Sequence, residues 1–188
     1  MKIPNIITFS RIMLIPVFVI VFYLPVGWGT VASAVIFALA ALTDWLDGYL
    51  ARRLAQTSAF GAFLDPVADK LLVAVALVLI VGHKHMPALA LPAAVIIGRE
   101  IVISALREWM AEVGKRTSVA VSMIGKIKTV VQMIAILCLL AYRPHGHFLL
   151  GVMGALLLYV AAALTIWSMC VYLKAAWLDL KGEGQDLV

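Results

Sequence analysis

Two short runs hold all four acidic residues of the first half of the chain: Asp44-Trp-Leu-Asp47-Gly48-Tyr-Leu-Ala51-Arg52 and, eight residues on, Gly61-Ala-Phe-Leu-Asp65-Pro-Val-Ala-Asp69. Both lie in or beside apolar sequence, where an ionised side chain at a bilayer centre costs about 2.5–3.5 kcal/mol. Such acids are there for chemistry. Spacings of three and four bring side chains onto one helical face. Asp44, Asp47, Gly48, Ala51 and Arg52 fall within half a turn of one helix, and Gly61, Asp65 and Asp69 form a narrow stripe on the next. Four converging carboxylates repel unless cations neutralise them. An all-oxygen donor set suits a hard divalent ion, Mg²⁺ or Mn²⁺, which in turn binds phosphate. Gly48, Ala51 and Gly61 leave one wall nearly bare, open to a bulky ligand. Close helix packing explains the same three residues equally well. Arg52 can pair with a phosphate or with one of the acids.

The elements that must position these residues are membrane helices. Of 188 residues, 64% are hydrophobic and 13% charged, and the mean hydropathy is +1.07. About 20 apolar residues cross a bilayer, and six such stretches can be drawn, at 6–26, 30–50, 62–82, 86–110, 118–142 and 148–174. The first exceeds the apolar core of a signal peptide and lacks a small-residue cleavage site, so it reads as retained. Cys138 and Cys170 lie in apolar sequence without metal-like spacing and read as buried small residues. His83, His85, His145 and His147 fall in loops far from the acids, and Trp28, Trp109, Trp167 and Trp177 read as belt or lipid-facing residues.

Counting Lys and Arg by side gives thirteen on the side of the amino terminus, against Lys84 and Arg143 on the other. That bias places both termini in the cytoplasm. It also assigns the net charge of +5 to cytoplasmic loops rather than to nucleic acid. Asp44 then lies about 21 Å along its span from Thr30, at 1.5 Å per residue. This is about 9 Å short of the cytoplasmic edge of a 30 Å core. Asp65 and Asp69 enter from the same edge. The acids belong to a shallow pocket facing the cytoplasm.

A second set of charges lies further along: Arg99-Glu100, Arg107-Glu108, Lys115-Arg116, Lys126 and Lys128. Arg99 and Arg107 can share a helical face, and unpaired cations at that depth favour an anionic substrate. Internal pairing with Glu100 and Glu108 is the competing explanation. Lys126 and Lys128 point to nearly opposite sides of a helix, so both reach one pocket only by snorkelling. Lys115-Arg116 suits a loop on anionic headgroups.

The pattern D-x2-D-G-x2-A-R-x8-G-x3-D-x3-D, complete at all eight fixed positions, resembles that of the CDP-alcohol phosphotransferases, membrane enzymes of phospholipid synthesis. The resemblance implies that Asp44, Asp47 and Asp65 hold metal bridging the diphosphate of a CDP-linked donor. It implies that Asp69 is the general base and a ligand to a second ion. Gly48, Ala51, Arg52 and Gly61 would lie against the cytidine and its phosphates. The segments Ile3-Pro-Asn5-Ile-Ile-Thr8-Phe-Ser-Arg11, Arg99 to Glu112 and Gly125-Lys126-Ile-Lys128-Thr129 are similar to members that use glycerol 3-phosphate. The likeness runs from near residue 3 to about residue 130. It implies that Arg107, Lys126 and one or both of Arg99 and Lys128 hold the acceptor phosphate. Asn5 and Thr8 would lie near the nucleotide, although a helix cap and a hydrogen bond within the first span explain them as well.

The expectation is an all-α integral membrane enzyme of six transmembrane helices: one domain over residues 1–180 and a short polar tail over 181–188. By resemblance it is a multi-pass protein of the bacterial inner membrane and a homodimer, with its site open to the cytoplasm. The donor is CDP-diacylglycerol, the acceptor glycerol 3-phosphate and the cofactors Mg²⁺ or Mn²⁺, two ions in number. Inositol phosphate, serine or phosphatidylglycerol are the alternative acceptors. Of the other classes, a transporter would carry its ion site near midplane between repeated halves, and these acids are shallow and unrepeated. A nucleotide-binding scaffold without turnover is the weakest rival.

Overall fold

The computed structural model describes residues 3–54, 59–83, 86–112, 123–143 and 148–182. Among these, every regular element is helical: α1 (Ile3–Tyr23), α2 (Gly29–Leu54), α3 (Ala59–His83), α4 (Ala90–Glu112), α5 (Met123–Ala141) and α6 (Phe148–Gly182), with a 3-10 turn at Pro87–Leu89 leading into α4. Two helical stretches, Pro87–Met110 and Phe148–Lys174, are long and apolar enough to cross a membrane. The apolar stretches described in the other four helices are shorter: Phe9–Tyr23, Gly29–Thr43, Lys70–His83 and Ile127–Ala141.

Element ends depart from hydropathy where backbone chemistry intervenes. The first helix stops at Tyr23 because Pro25 has no N–H and disfavours helix in the residue before it. The chain then turns through hydrogen bonds from Val26 N to Leu24 O at 2.7 Å and from Gly29 N to Val26 O at 3.0 Å. The last helix continues to Gly182 because Ala175, Ala176, Leu178 and Leu180 are good helix formers. Its 35 residues span about 52 Å, more than a 30 Å hydrocarbon core. Residues 118–122 of the expected fifth span lie outside the described residues.

The helices close into a ring: α1 packs on α2 and α3, α2 on α5, α5 on α6, α6 on α4, and α4 back on α3. At α5–α6 the contact is made close by glycine. A Cβ at Gly154 would come within 2.7 Å of Leu139 Cγ and 3.1 Å of Cys138 Cβ, and one at Gly151 within 2.7 Å of the Tyr142 ring. Small residues of this kind let membrane helices approach without a hydrophobic drive between them.

Among the described residues, the buried core gathers at one end. It holds Phe18, Phe37, Leu77, Ile96, Ile136, Leu139 and Leu158, which lie towards the carboxyl ends of α1, α3 and α5 and the amino ends of α2, α4 and α6. That alternation is what an up-and-down bundle requires. Arg143 ties the same end together: it donates to Thr30 Oγ1 at 2.8 Å and to the Gly27 carbonyl. His83 ends α3 rather than lying in a loop, with its ring edge-on to Phe22 and Tyr23 at 5.2 and 5.3 Å.

The cysteine expectation needs correction. Cys138 is half-buried, but Cys170 is exposed. In a membrane bundle the outward face of a helix is as apolar as the inward one, so apolar neighbours in sequence do not mean burial in protein. The exposed faces of Trp28, Trp109, Trp167 and Trp177 accord with the belt and lipid-facing reading.

Candidate active site

The polar residues occupy the opposite end of the same ring. Asp44, Asp47, Gly48, Ala51 and Arg52 fall on the last turns of α2, and Gly61, Asp65 and Asp69 on the first turns of α3. Helices α2 and α3 touch each other, and both pack on α1. The side chains of these eight residues, and of Asn5, Thr8 and Lys126, lie outside the described part of the structure. The backbone shows only that the two helices carrying these residues touch each other. Thr43, just before Asp44, turns its hydroxyl onto the Leu39 carbonyl at 2.7 Å, so it satisfies itself within the helix.

On the other side of the ring the side chains are described, and a polar layer crosses α4, α5 and α6. Arg99 Nη1 donates to Glu100 Oε1 at 3.1 Å, and Arg99 Nη2 donates to Ser168 Oγ on α6 at 3.2 Å. Lys128 Nζ, from α5, donates to the same Glu100 oxygen at 2.9 Å. One carboxylate thus holds two cations. Lys128 is almost fully enclosed, its side chain 5% exposed against 26% for Glu100. Arg99 is 11% exposed, and its buried Nε has no hydrogen-bond partner among the described residues. Beside these, Gln132 Oε1 and Thr165 Oγ1 are also buried and unpartnered among the described residues. Gln132 is one turn beyond Lys128, and Thr165 one turn before Ser168, whose hydroxyl donates to the Thr165 carbonyl at 3.0 Å.

Arg107 is exposed and lies about two turns further along α4, with its guanidinium carbon 5.3 Å from the centroid of the Tyr172 ring on α6. A cation over an aromatic face is weakly held and free to turn to an anion. The structure therefore brings Arg99 and Lys128 together through Glu100 and sets Arg107 nearer the end of the helix. Among the described residues, internal pairing, the competing explanation for these cations, accounts for Arg99 through Glu100 but not for Arg107, and Glu108 is exposed. For the two lysines, Lys128 is the one shown turned inward.

Sequence reasoning missed the depth of Arg11, which is 2% exposed on α1, and the parts played by Ser168, Gln132 and Tyr172. A lone Ser, Gln or Tyr in an apolar run gives little signal. Arg11 gave more, because an arginine within a span is expensive unless the interior receives it.

Comparison with known proteins places the chain in a family. The family described as CDP-alcohol phosphatidyltransferase matches residues 1–167, so the chain belongs to that family. It is 59% identical over 179 residues, 95% of this chain and 97% of the relative, to the CDP-diacylglycerol–glycerol-3-phosphate 3-phosphatidyltransferase of Escherichia coli (strain K12). The protein of that name from Shigella flexneri serotype 5b (strain 8401) matches with the same identity and coverage.

Proposed function

We propose that the protein transfers the phosphatidyl group of CDP-diacylglycerol to glycerol 3-phosphate, giving phosphatidylglycerophosphate and CMP. The observation that carries this reading is near-full-length identity to enzymes named for that reaction, joined to the complete eight-position motif at the paired ends of α2 and α3. The single membrane domain covers residues 1–180, with six spans and both termini in the cytoplasm. Alternation of polar and apolar ends through all six helices supports that topology, as does the excess of Lys and Arg on one side. Assembly as a homodimer in the bacterial inner membrane is supported by the family resemblance alone.

Asp44, Asp47, Asp65 and Asp69 would hold divalent metal, Mg²⁺ or Mn²⁺ in two sites, because their donor set is entirely carboxylate oxygen. Bound there, the metal supplies charge neutralisation for the diphosphate and the departing CMP. The remaining work belongs to the chain. Gly48, Ala51, Arg52 and Gly61 receive the cytidine and its phosphates, with Asn5 and Thr8 on the nucleotide side, while the acyl chains stay in lipid. Arg107, Lys126, Lys128 and Arg99 gather the acceptor phosphate. Asp69 takes the proton from the 1-hydroxyl of glycerol 3-phosphate. That oxygen bonds to the β-phosphorus as the bond to the CMP oxygen breaks, so CMP leaves with the electron pair.

CMP release with each acceptor in turn tests this. The expected result is turnover with glycerol 3-phosphate and little with serine, inositol phosphate or phosphatidylglycerol. Turnover confined to one of the others would replace the acceptor and keep the reaction class.

A further inference from the structure

We infer that Glu100 is a positioning residue for the acceptor site: its carboxylate holds Lys128 of α5 and Arg99 of α4 in fixed relation, and so sets the affinity for the acceptor's phosphate. The inference rests on the reading of the chain as a glycerol-3-phosphate transferase.

Three observations carry it. First, the contact is a bridge across the bundle. Among the described residues α6 packs against both α4 and α5, which have no comparable contact with each other, yet Glu100 Oε1 lies 2.9 Å from Lys128 Nζ. Neighbouring residues on a helix point about 100° apart. Arg99 thus reaches Ser168 on α6 while Glu100 reaches α5. Two successive side chains fasten α4 to two different helices.

Second, the hydrogen bond to Glu100 is the one that Lys128 makes among the described residues, although its side chain is only 5% exposed. An ammonium enclosed to that degree needs a partner. Without the carboxylate, its flexible stem would carry the charge toward the headgroups, away from the acceptor site.

Third, among the described residues the hydrogen-bonded cluster of Arg99, Glu100 and Lys128 is not self-neutralising. Arg99 and Lys128 contribute two positive charges and Glu100 one negative, which leaves +1. Among the described residues, the buried Nε of Arg99 still lacks a partner. A purely architectural clamp would pair its charges or use apolar contacts, because buried ion pairs gain little stability over well-packed hydrophobic residues. A clamp left one charge in excess and one donor short is completed by an anion.

Glu100→Gln separates positioning from simple attraction, since the change raises the cluster's charge from +1 to +2. If the cations act only as a field, or if the carboxylate merely stands in for the phosphate, the KM for glycerol 3-phosphate falls. If Glu100 positions them, that KM rises about tenfold, the loss of one charge-assisted hydrogen bond. The kcat at saturating acceptor and the KM for CDP-diacylglycerol should change far less.

Glu100→Asp, which keeps the charge on a shorter stem, should recover part of the affinity. Should Glu100→Gln fail to fold, Ser168→Ala provides the second measurement. It frees Arg99 Nη2 without altering charge and should raise the same KM about threefold, the worth of one weaker hydrogen bond. An unchanged or lowered acceptor KM in the folded variants, or parallel changes in both substrates' KM values and kcat, would overturn the role of Glu100. Absence of CMP release by the wild-type protein with glycerol 3-phosphate would instead overturn the functional reading beneath it.

Discussion

The two ends of this bundle are made by the same six helices and follow opposite rules. At one end Phe18, Phe37, Leu77, Ile96, Leu139 and Leu158 are fully buried, and loops such as Leu24–Trp28 are closed by backbone hydrogen bonds. At the other, the same helices enclose Arg11, Lys128, Gln132 and Thr165, with polar atoms of Arg99, Gln132 and Thr165 unpartnered among the described residues. The first end is satisfied in itself. Under the proposed function the second is completed by substrate and metal, and buried charge there is expected to serve function rather than stability. The contrast also explains how a small membrane protein holds an ionic site: each helix gives one half to packing and the other to chemistry.

If that division is real, substitutions at the two ends should separate activity from stability. The largest effect is expected at Asp69. Asp69→Asn should lower CMP release by about 10²- to 10⁴-fold, the usual worth of a general base, while donor binding measured by titration persists. Loss of binding and turnover together would make Asp69 chiefly a metal ligand and move the base elsewhere.

Next is Leu77→Ala at the apolar end. It should remove about 2–5 kcal/mol of stability by opening a cavity in the core, with kcat per folded molecule unchanged, as followed by thermal unfolding in detergent beside an activity assay. A fall in kcat at full folding would show that the ends are coupled.

A smaller loss is expected for Gly154→Val, about 1–3 kcal/mol from overpacking. Its new side chain would meet Leu139 and Cys138, the nearest of them Leu139 Cγ at 2.7 Å from the Cβ position. The smallest is Cys170→Ala on the exposed face of α6, within about 0.5 kcal/mol of wild type.

How much of this was legible in the chain depends on which physical signal each residue carries. The four aspartates drew the reading because acids in apolar sequence are expensive and their i, i+3 and i+4 spacings imply a shared face, while their side chains lie outside the described residues. The helices were legible from hydropathy, but their ends were not. Pro25 cuts α1 short, and the run after Lys174 prolongs α6 beyond its apolar part. Cys170 was misplaced because periodicity in a membrane helix distinguishes polar from apolar but not lipid from protein. The partnership of Glu100 with Lys128 lay beyond sequence reasoning, since it depends on how two residues 28 apart in chain order meet across the ring. Glu100 was read as a neutraliser of its neighbour Arg99, which it is. Its second cation comes from tertiary structure alone.

Manganese binding tests the central claim most directly. Electron paramagnetic resonance of Mn²⁺ titrated into the purified protein with CDP-diacylglycerol should show the ion leaving the free pool. Asp44→Asn and Asp65→Asn, on the two different helices, should each leave it free. Wild-type protein that takes up no Mn²⁺, or variants that bind it as tightly as wild type, would contradict a shared carboxylate site.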